Sequence, residues 1–213
     1  RQALPHITAL RAGSSGRRLM LDVTSHRALD LLEVARTGER RGSLLDLLDC
    51  TRTAMGARLL REWLQAPLME KEPILARQAA VAALVRDDLV RDRICDGLRQ
   101  VRDIERLSSR LPLGRVHGRD LRALSVSLRA VEILKQVLAD VEPHRFQELD
   151  EDLDGDGLRA IADRIEETIV DEPPFSITEG GMIRDGYDPT LDELRSISRD
   201  GVSWIASFQA QEQ

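Results

Sequence analysis

An apolar seam runs from Leu121 through Leu124, Leu128, Val131, Leu134 and Leu138 to Val141, and it constrains this chain more than any other feature. Its spacing near 3.5 residues fits a helix of about six turns packed against a partner helix. A half-buried strand would repeat every second residue instead. A helix of that length needs other helices to cover its face, and the rest of the sequence offers them. Ser25 is placed to cap a helix to about Ala35, with Leu29 and Leu32 on one face. Ser43 opens a short helix over Leu44 to Leu48. Thr53 caps a longer one carrying Met55, Leu59, Leu60 and Trp63, ended by Pro67.

Pro73 suits a first helical position, followed by Ile74, Gln78, Val81 and Val85 at three-to-four spacing. Further helices are expected around Leu89 to Leu98 and from Asp103 to Leu111, with Pro112 and Gly114 closing that stretch. Leu158, Ile161, Ile165 and Ile169 mark another face, ended before Pro173-Pro174. Asp188-Pro189 starts the last helix with a cap and a first-turn proline, and Leu191, Leu194, Ile197, Trp204, Ile205 and Phe208 continue it. Gly201 weakens that helix by roughly 1 kcal/mol. Two segments read differently. Residues 17–22 (Arg17 to Asp22) suggest a short strand, and the Gly-rich stretch around Ile177, Met182 and Ile183 suggests short strands and turns. The expected fold is mainly α, a multi-helical domain with short strand segments and a long C-terminal helix.

Composition narrows the function. At 213 residues with 42% hydrophobic side chains, the chain can bury a sizeable core. The net charge of −6 is uneven: residues 1–140 carry +7 and residues 141–213 carry −13. Lys71 and Lys135 are the only lysines, and aromatic residues make up 3%. That pattern lacks the basic stripe and stacking platforms of a primary nucleic-acid surface. No apolar run approaches the ~18 residues that span a bilayer, and no signal pattern opens the chain. Two cysteines, Cys50 and Cys95, favour a reducing, cytoplasmic setting over a disulfide framework. An Arg at position 1 and the ragged last residues suggest a fragment excised from a longer protein.

Candidate chemistry fails at each place it is sought. Asp150, Asp152 and Asp154 followed by Gly155 imitate the opening of a calcium loop, but the twelfth position, which should be a bidentate Glu, is Ile161. Gly181 and Gly186 have phosphate-loop spacing, yet Tyr187 and Asp188 stand where Lys and Ser/Thr are needed. His6, His26, His117 and His144 are scattered, without metal-ligand spacing. Cys50 has no base beside it and reads as a buried packing residue. Ser14-Ser15-Gly16 with Arg17-Arg18 reads as a connector. Asp103, Arg106 and Arg110 suggest helix-face ion pairs, and Trp63 and Trp204 read as core. No catalytic, cofactor-binding or metal-binding residue is assigned.

Two blocks go further. The first is Asp49-Cys50-Thr51-Arg52-Thr53-Ala54-Met55-Gly56-Ala57-Arg58-Leu59, continuing to Trp63-Leu64 and Pro67-Leu68. The second is Gly180-Gly181 through Gly186-Tyr187 to Leu191-Asp192-Glu193-Leu194-Arg195. With Arg77-Gln78 and Asp103-Ile104-Glu105-Arg106 between them, they resemble the core (lever) domain of MutS-type DNA mismatch-repair proteins in wording, order and separation. The resemblance implies a division: residues 1–16 as the end of a preceding connector, 17–190 as the helical core, and 191–213 as the start of a lever helix toward a DNA clamp. It also implies a parent protein that is a homodimer and an ATPase using ATP and Mg, acting on mismatched double-stranded DNA. This fragment would be no enzyme, would hold no cofactor and would make few DNA contacts. It would link the ATPase, connector and clamp mechanically, with Gly201 as a weak point. The alternative is a helical protein–protein interaction scaffold unrelated to DNA.

Overall fold

A computed structural model describes residues 18–139, 141, 146 and 155–211; from 202 onward only the helix path is described. The chain is mainly helical, as its periodicities require. Its contacts divide it into two compact units. One gathers the described residues of Arg1–Asp103 and Ile133–Leu153, the other those of Ile104–Glu132 and Asp154–Gln213.

The first unit opens with a single antiparallel bridge, Arg18 to Leu68, and not with the expected strand. Leu19 donates its N–H to the Pro67 carbonyl at 2.8 Å, but Pro67 has no N–H to return, so the ladder cannot lengthen. Arg17 lies outside the described residues. Helix α1 spans Val23–Ala28 and is capped by Asp22, whose carboxylate accepts the Ser25 N–H at 2.6 Å. The cap is therefore three residues ahead of Ser25. The helix also stops early: Asp30 adopts φ 47°, and its side chain accepts the Ala35 N–H at 2.6 Å, closing a loop where more helix was expected.

Helix α2 (Leu44–Leu48) begins at Ser43 as the sequence indicates, and α3 (Ala54–Gln65) begins at Thr53, whose hydroxyl accepts the Gly56 N–H at 3.0 Å. Helix α4 (Lys71–Arg86) starts after Glu70, so Pro73 falls in its first turn at the third position. The expected inward face of α4 is rotated, whereas on α3 Met55, Leu60 and Trp63 are half-buried as the sequence suggests and Leu59 is the exception. Leu59, Gln78, Val81 and Val85 are exposed, while Ile74, Arg77, Ala80 and Leu84 are half-buried. Arg77 explains the turn: its guanidinium stacks 3.5 Å above the half-buried Trp63 ring, fixing a stripe that contains a charge. Helix α5 (Asp88–Gln100) follows, capped by Asp87. Leu31, Leu45, Val101, Leu134 and Val137 are buried here.

The second unit holds α6 (Ile104–Arg110), a 3-10 turn (Leu111–Leu113) closed by left-handed Gly114, and most of α7 (Gly118–Ala139), the six-turn helix. Helix α8 (Gly155–Thr168) packs Ala162, Ile165 and the following Ile169 against Leu107, Leu124 and Leu128. Ile161 is half exposed where the sequence suggested core, and Ala162 is fully buried. A small residue at the contact lets helices approach closely, which hydropathy does not reveal. The Gly-rich segment pairs through one bridge, Ile169 to Ile183, supported by Val170 N–H to Met182 O at 3.0 Å. Ile177 belongs to a 3-10 turn (Ile177–Glu179) with a reciprocal Ser176–Glu179 capping box, which corrects its expected strand. Helix α9 (Pro189–Gln211) then runs 23 residues, unbroken at Gly201.

Candidate functional site

The first sequence block makes joints. Asp49 accepts both the N–H (3.1 Å) and the hydroxyl (2.6 Å) of Thr51, and pairs with Arg40. Those hydrogen bonds, Thr51 first and then Arg40, hold its carboxyl below the usual carboxylate range. Thr53 caps α3 four residues later. One turn into that helix, Arg58 reaches Asp103 through two parallel bonds of 2.8 and 2.7 Å. The fork geometry suits Arg alone. This pair joins the first block to Asp103-Ile104-Glu105-Arg106, 45 residues away.

The second block makes the root of α9. Gly181 and Gly186 have φ 71° and 86°, a left-handed backbone that glycine adopts at low cost. Between them Arg184 points back into the unit, donating Nε to the carbonyls of Glu166 (2.6 Å) and Ile169 (3.1 Å) and Nη2 to Asp171 (2.6 Å). It thereby satisfies carbonyls at the end of α8 that have no partner within the helix. Asp171 also receives Arg122 of α7 at 2.7 Å. Asp188 caps α9 by accepting the N–H groups of Thr190 (2.9 Å) and Leu191 (3.2 Å). Asp192 accepts the Gly186 N–H at 2.7 Å. One turn up, Arg195 donates to the Ile183 carbonyl (3.0 Å) and to Asp185 (2.7 Å).

Behind this root lies a charged cluster between α7 and α8. Arg129 bonds Glu166 at 2.7 Å and also Asp163, and the wholly buried Ser125 donates to Glu166 at 3.0 Å. The Arg129 hydrogen bond, opposed by partial burial and assisted by Ser125, holds the Glu166 carboxyl below its ordinary value. Glu166 and Asp163 in turn push the Arg129 guanidinium further up. The arrangement is an electrostatic clasp and offers no nucleophile–base pair.

The residues weighed from sequence have these places. Asp150 to Asp154 of the calcium-like loop lie outside the described residues. In the Gly181–Gly186 segment, Asp192 takes the Gly186 N–H that a phosphate would need. His26 sits on α1 and His117 is exposed before α7, in different units; His6 and His144 fall outside the described residues, as do Ser14-Ser15-Gly16 and the Trp204 side chain. Among the described residues, no three His, Cys, Asp or Glu side chains group as a metal site. Cys50 is exposed, contrary to its expected packing role, because it lies in the Asp49–Thr51 turn on the solvent side. Asp103 pairs with Arg58 across 45 residues, a partner its own helix did not suggest. The Arg129 clasp and the anchoring by Arg184 and Arg195 were missed. Arg184 had a local signal, standing two residues before Gly186, while Arg129 and Arg195 lie inside helices and carry none. No helix among the described residues is long and apolar enough to cross a membrane.

A family model described as MutS domain III matches residues 24–212. The DNA mismatch repair protein MutS of Symbiobacterium thermophilum is 43% identical over 210 residues, covering 99% of this chain and 24% of that protein. The proteins of the same name from Exiguobacterium sp. (40% identical, 100% of this chain, 25% of the relative) and Methanosarcina acetivorans (44%, 98% and 23%) are similar along the same length. The chain spans about a quarter of each of these relatives.

Proposed function

This chain belongs to the MutS domain III family, and from that premise we propose that it is the core and lever root of a DNA mismatch-recognition protein. Its role is to link the ATPase, connector and DNA-clamp parts of the parent mechanically. The observation that carries the reading is the double fixing of α9: Asp188 caps its first turn and Arg195 ties its second to Ile183 and Asp185. A helix held at one end and continuing for 23 residues transmits rotation of its base as displacement of its far end. Within this reading residues 1–16 close a connector, 17–190 form the core and 191–213 begin the lever.

The parent hydrolyses ATP with Mg in another domain, while this segment supplies no catalytic residue and holds no cofactor. The parent works as a homodimer on mismatched double-stranded DNA, with few contacts from these residues, in agreement with the net −13 of residues 141–213. A cytoplasmic location fits its two unpaired cysteines.

The test is Gly201→Ala in the full-length parent, followed by ATP-driven clamp closure on mismatched DNA with fluorophores on lever and clamp. Removing the weak point stiffens the lever, so closure kinetics change while equilibrium ATP affinity does not. Unchanged closure kinetics refute a hinge at Gly201. Unchanged kinetics in Arg195→Ala as well would refute transmission through α9.

A further inference from the structure

Between residues 141 and 213, where the net charge is −13, three of the six basic side chains converge on one groove. Arg184, Arg195 and Arg199 line it, together with Val170, Gly181, Ile183 and Asp185, and it encloses about 380 Å³. Asp185 is the one carboxylate among the described lining residues, but Asp171 pairs with Arg184 at 2.6 Å and Asp192 stands 3.6 Å from Arg195, so the positive excess of the groove is small and rests mainly on Arg199.

Two of the guanidiniums are held from behind. Arg184 is fixed by the Glu166 and Ile169 carbonyls, and Arg195 by the Ile183 carbonyl at 3.0 Å. Asp171 does not cancel Arg184 fully, because the same oxygen also serves Arg122. Arg199 is 71% exposed and reaches Asp185 only at 3.8 Å. Asp185 contacts Arg195 at 2.7 Å but remains 73% exposed, so water screens the pair and its hold is weak.

We propose that this groove binds a phosphate dianion, and that Asp185 is a weak internal occupant that gives way to it. Competition selects the ligand. An incoming carboxylate, or a phosphodiester of a nucleic-acid backbone, brings one negative charge and gains nothing over Asp185. The tethered Asp185 acts at an effective concentration in the millimolar range. A terminal phosphate carries about −1.5 to −2 at neutral pH and three acceptor oxygens. It meets Arg195 and Arg199 together and uses the residual charge of Arg184. The site is independent of the lever reading and stands or falls by its own chemistry.

The experiment titrates the 213-residue chain with inorganic phosphate at pH 8 and low ionic strength, following arginine Nε–H resonances. Acetate and dimethyl phosphate are the monoanionic controls, and a nucleoside 5′-monophosphate is a second source of the same dianion. Saturable shifts of Arg195 and Arg199 are expected with phosphate and not with either control. Arg199→Ala should weaken binding on the order of ten- to thirtyfold and Asp185→Asn should tighten it by a similar factor, the effect of one charge on a dianion at about 4 Å in water. Both positions are exposed, and far-UV circular dichroism confirms that the variants fold. A nucleoside monophosphate that binds more tightly than inorganic phosphate supports the site and makes a nucleotide its source; equal or weaker binding supports it with free phosphate as the source. No saturable shift, equal response to acetate, or an unchanged Asp185→Asn affinity overturns the proposal.

Discussion

Gly118 opens α7 and is buried, and a methyl group placed on it would lie 2.9 Å from Pro173 Cβ and 3.0 Å from Met182 Cγ and Sδ. Met182 can move, but the proline ring cannot rotate away. Gly118→Ala is therefore predicted to destabilise the second unit by overpacking, at about 1–3 kcal/mol. An opposing gain of up to about 1 kcal/mol comes from replacing glycine in a helix. The net expectation is a loss of about 1–2 kcal/mol, which lowers a urea midpoint by roughly 0.5–1 M for a small protein. Gly201→Ala is the matched control. No described atom lies within 4 Å of a methyl group there, so that change keeps the helix gain without the clash. Urea unfolding followed by circular dichroism compares the two. If Gly118→Ala is as stable as the parent sequence, the contact between the α7 start and Pro173 is not close-packed. The segment leading to α9 would then not be seated tightly against the start of α7.

Other outcomes follow from the same geometry. Arg58→Lys keeps the charge but loses one of the two parallel bonds to Asp103, and should cost about 1 kcal/mol given the partial exposure of both groups; an unchanged urea midpoint would show that the fork contributes nothing. Glu166 has a folded-state pKa below its ordinary 4.5, so its contribution is fully present above that value and is lost as the pH falls through the depressed one. The stability difference between the parent sequence and Glu166→Gln should accordingly be flat from pH 7 to about pH 5 and shrink below about 4.5; a difference that shrinks between pH 7 and 5 would contradict the clasp. Gly201→Ala should raise the melting temperature of the isolated chain, in line with up to about 1 kcal/mol of helix propensity, and a lower melting temperature would reveal a contact that the open surroundings of Gly201 do not show.

Most helix starts were legible where local chemistry decides them, the exceptions being Asp22, which caps α1 ahead of Ser25, and Asp87, which caps α5. Ser43, Thr53 and Asp188 each cap a helix by accepting a backbone N–H two or three residues on, an interaction written entirely within the local sequence. The six-turn α7 was legible because its period repeats long enough to average out exceptions. What escaped was rotation about the helix axis. Two adjacent stripes of α4 are almost equally apolar, and Arg77 stacking on Trp63 chose between them from another helix. The same holds for Ile161 and Ala162, where close approach of α7 favours the smaller side chain over the more hydrophobic one. Asp30 ended α1 through a left-handed backbone that hydropathy does not encode.

The candidate site was legible as pattern but not as geometry, and the reason lies in what its residues do. Arg58 with Asp103, Arg184 with the end of α8, and Arg195 with Ile183 each join positions 12 to 45 residues apart. Helix periodicity cannot signal such a tie, because each partner looks like an ordinary solvated charge within its own segment. The two sequence blocks are dense in glycine, capping side chains and arginine because joints need a reversed backbone, a satisfied helix end and a fork of donors in the same few residues. A catalytic site would instead bring a nucleophile, a base and an orienting group together. The described residues of the two blocks form caps, turns and guanidinium ties, and in the second block these fix the first turns of α9. On the proposed lever role, losing the Arg184 or the Arg195 tie should alter how motion passes through α9 more than it alters the fold.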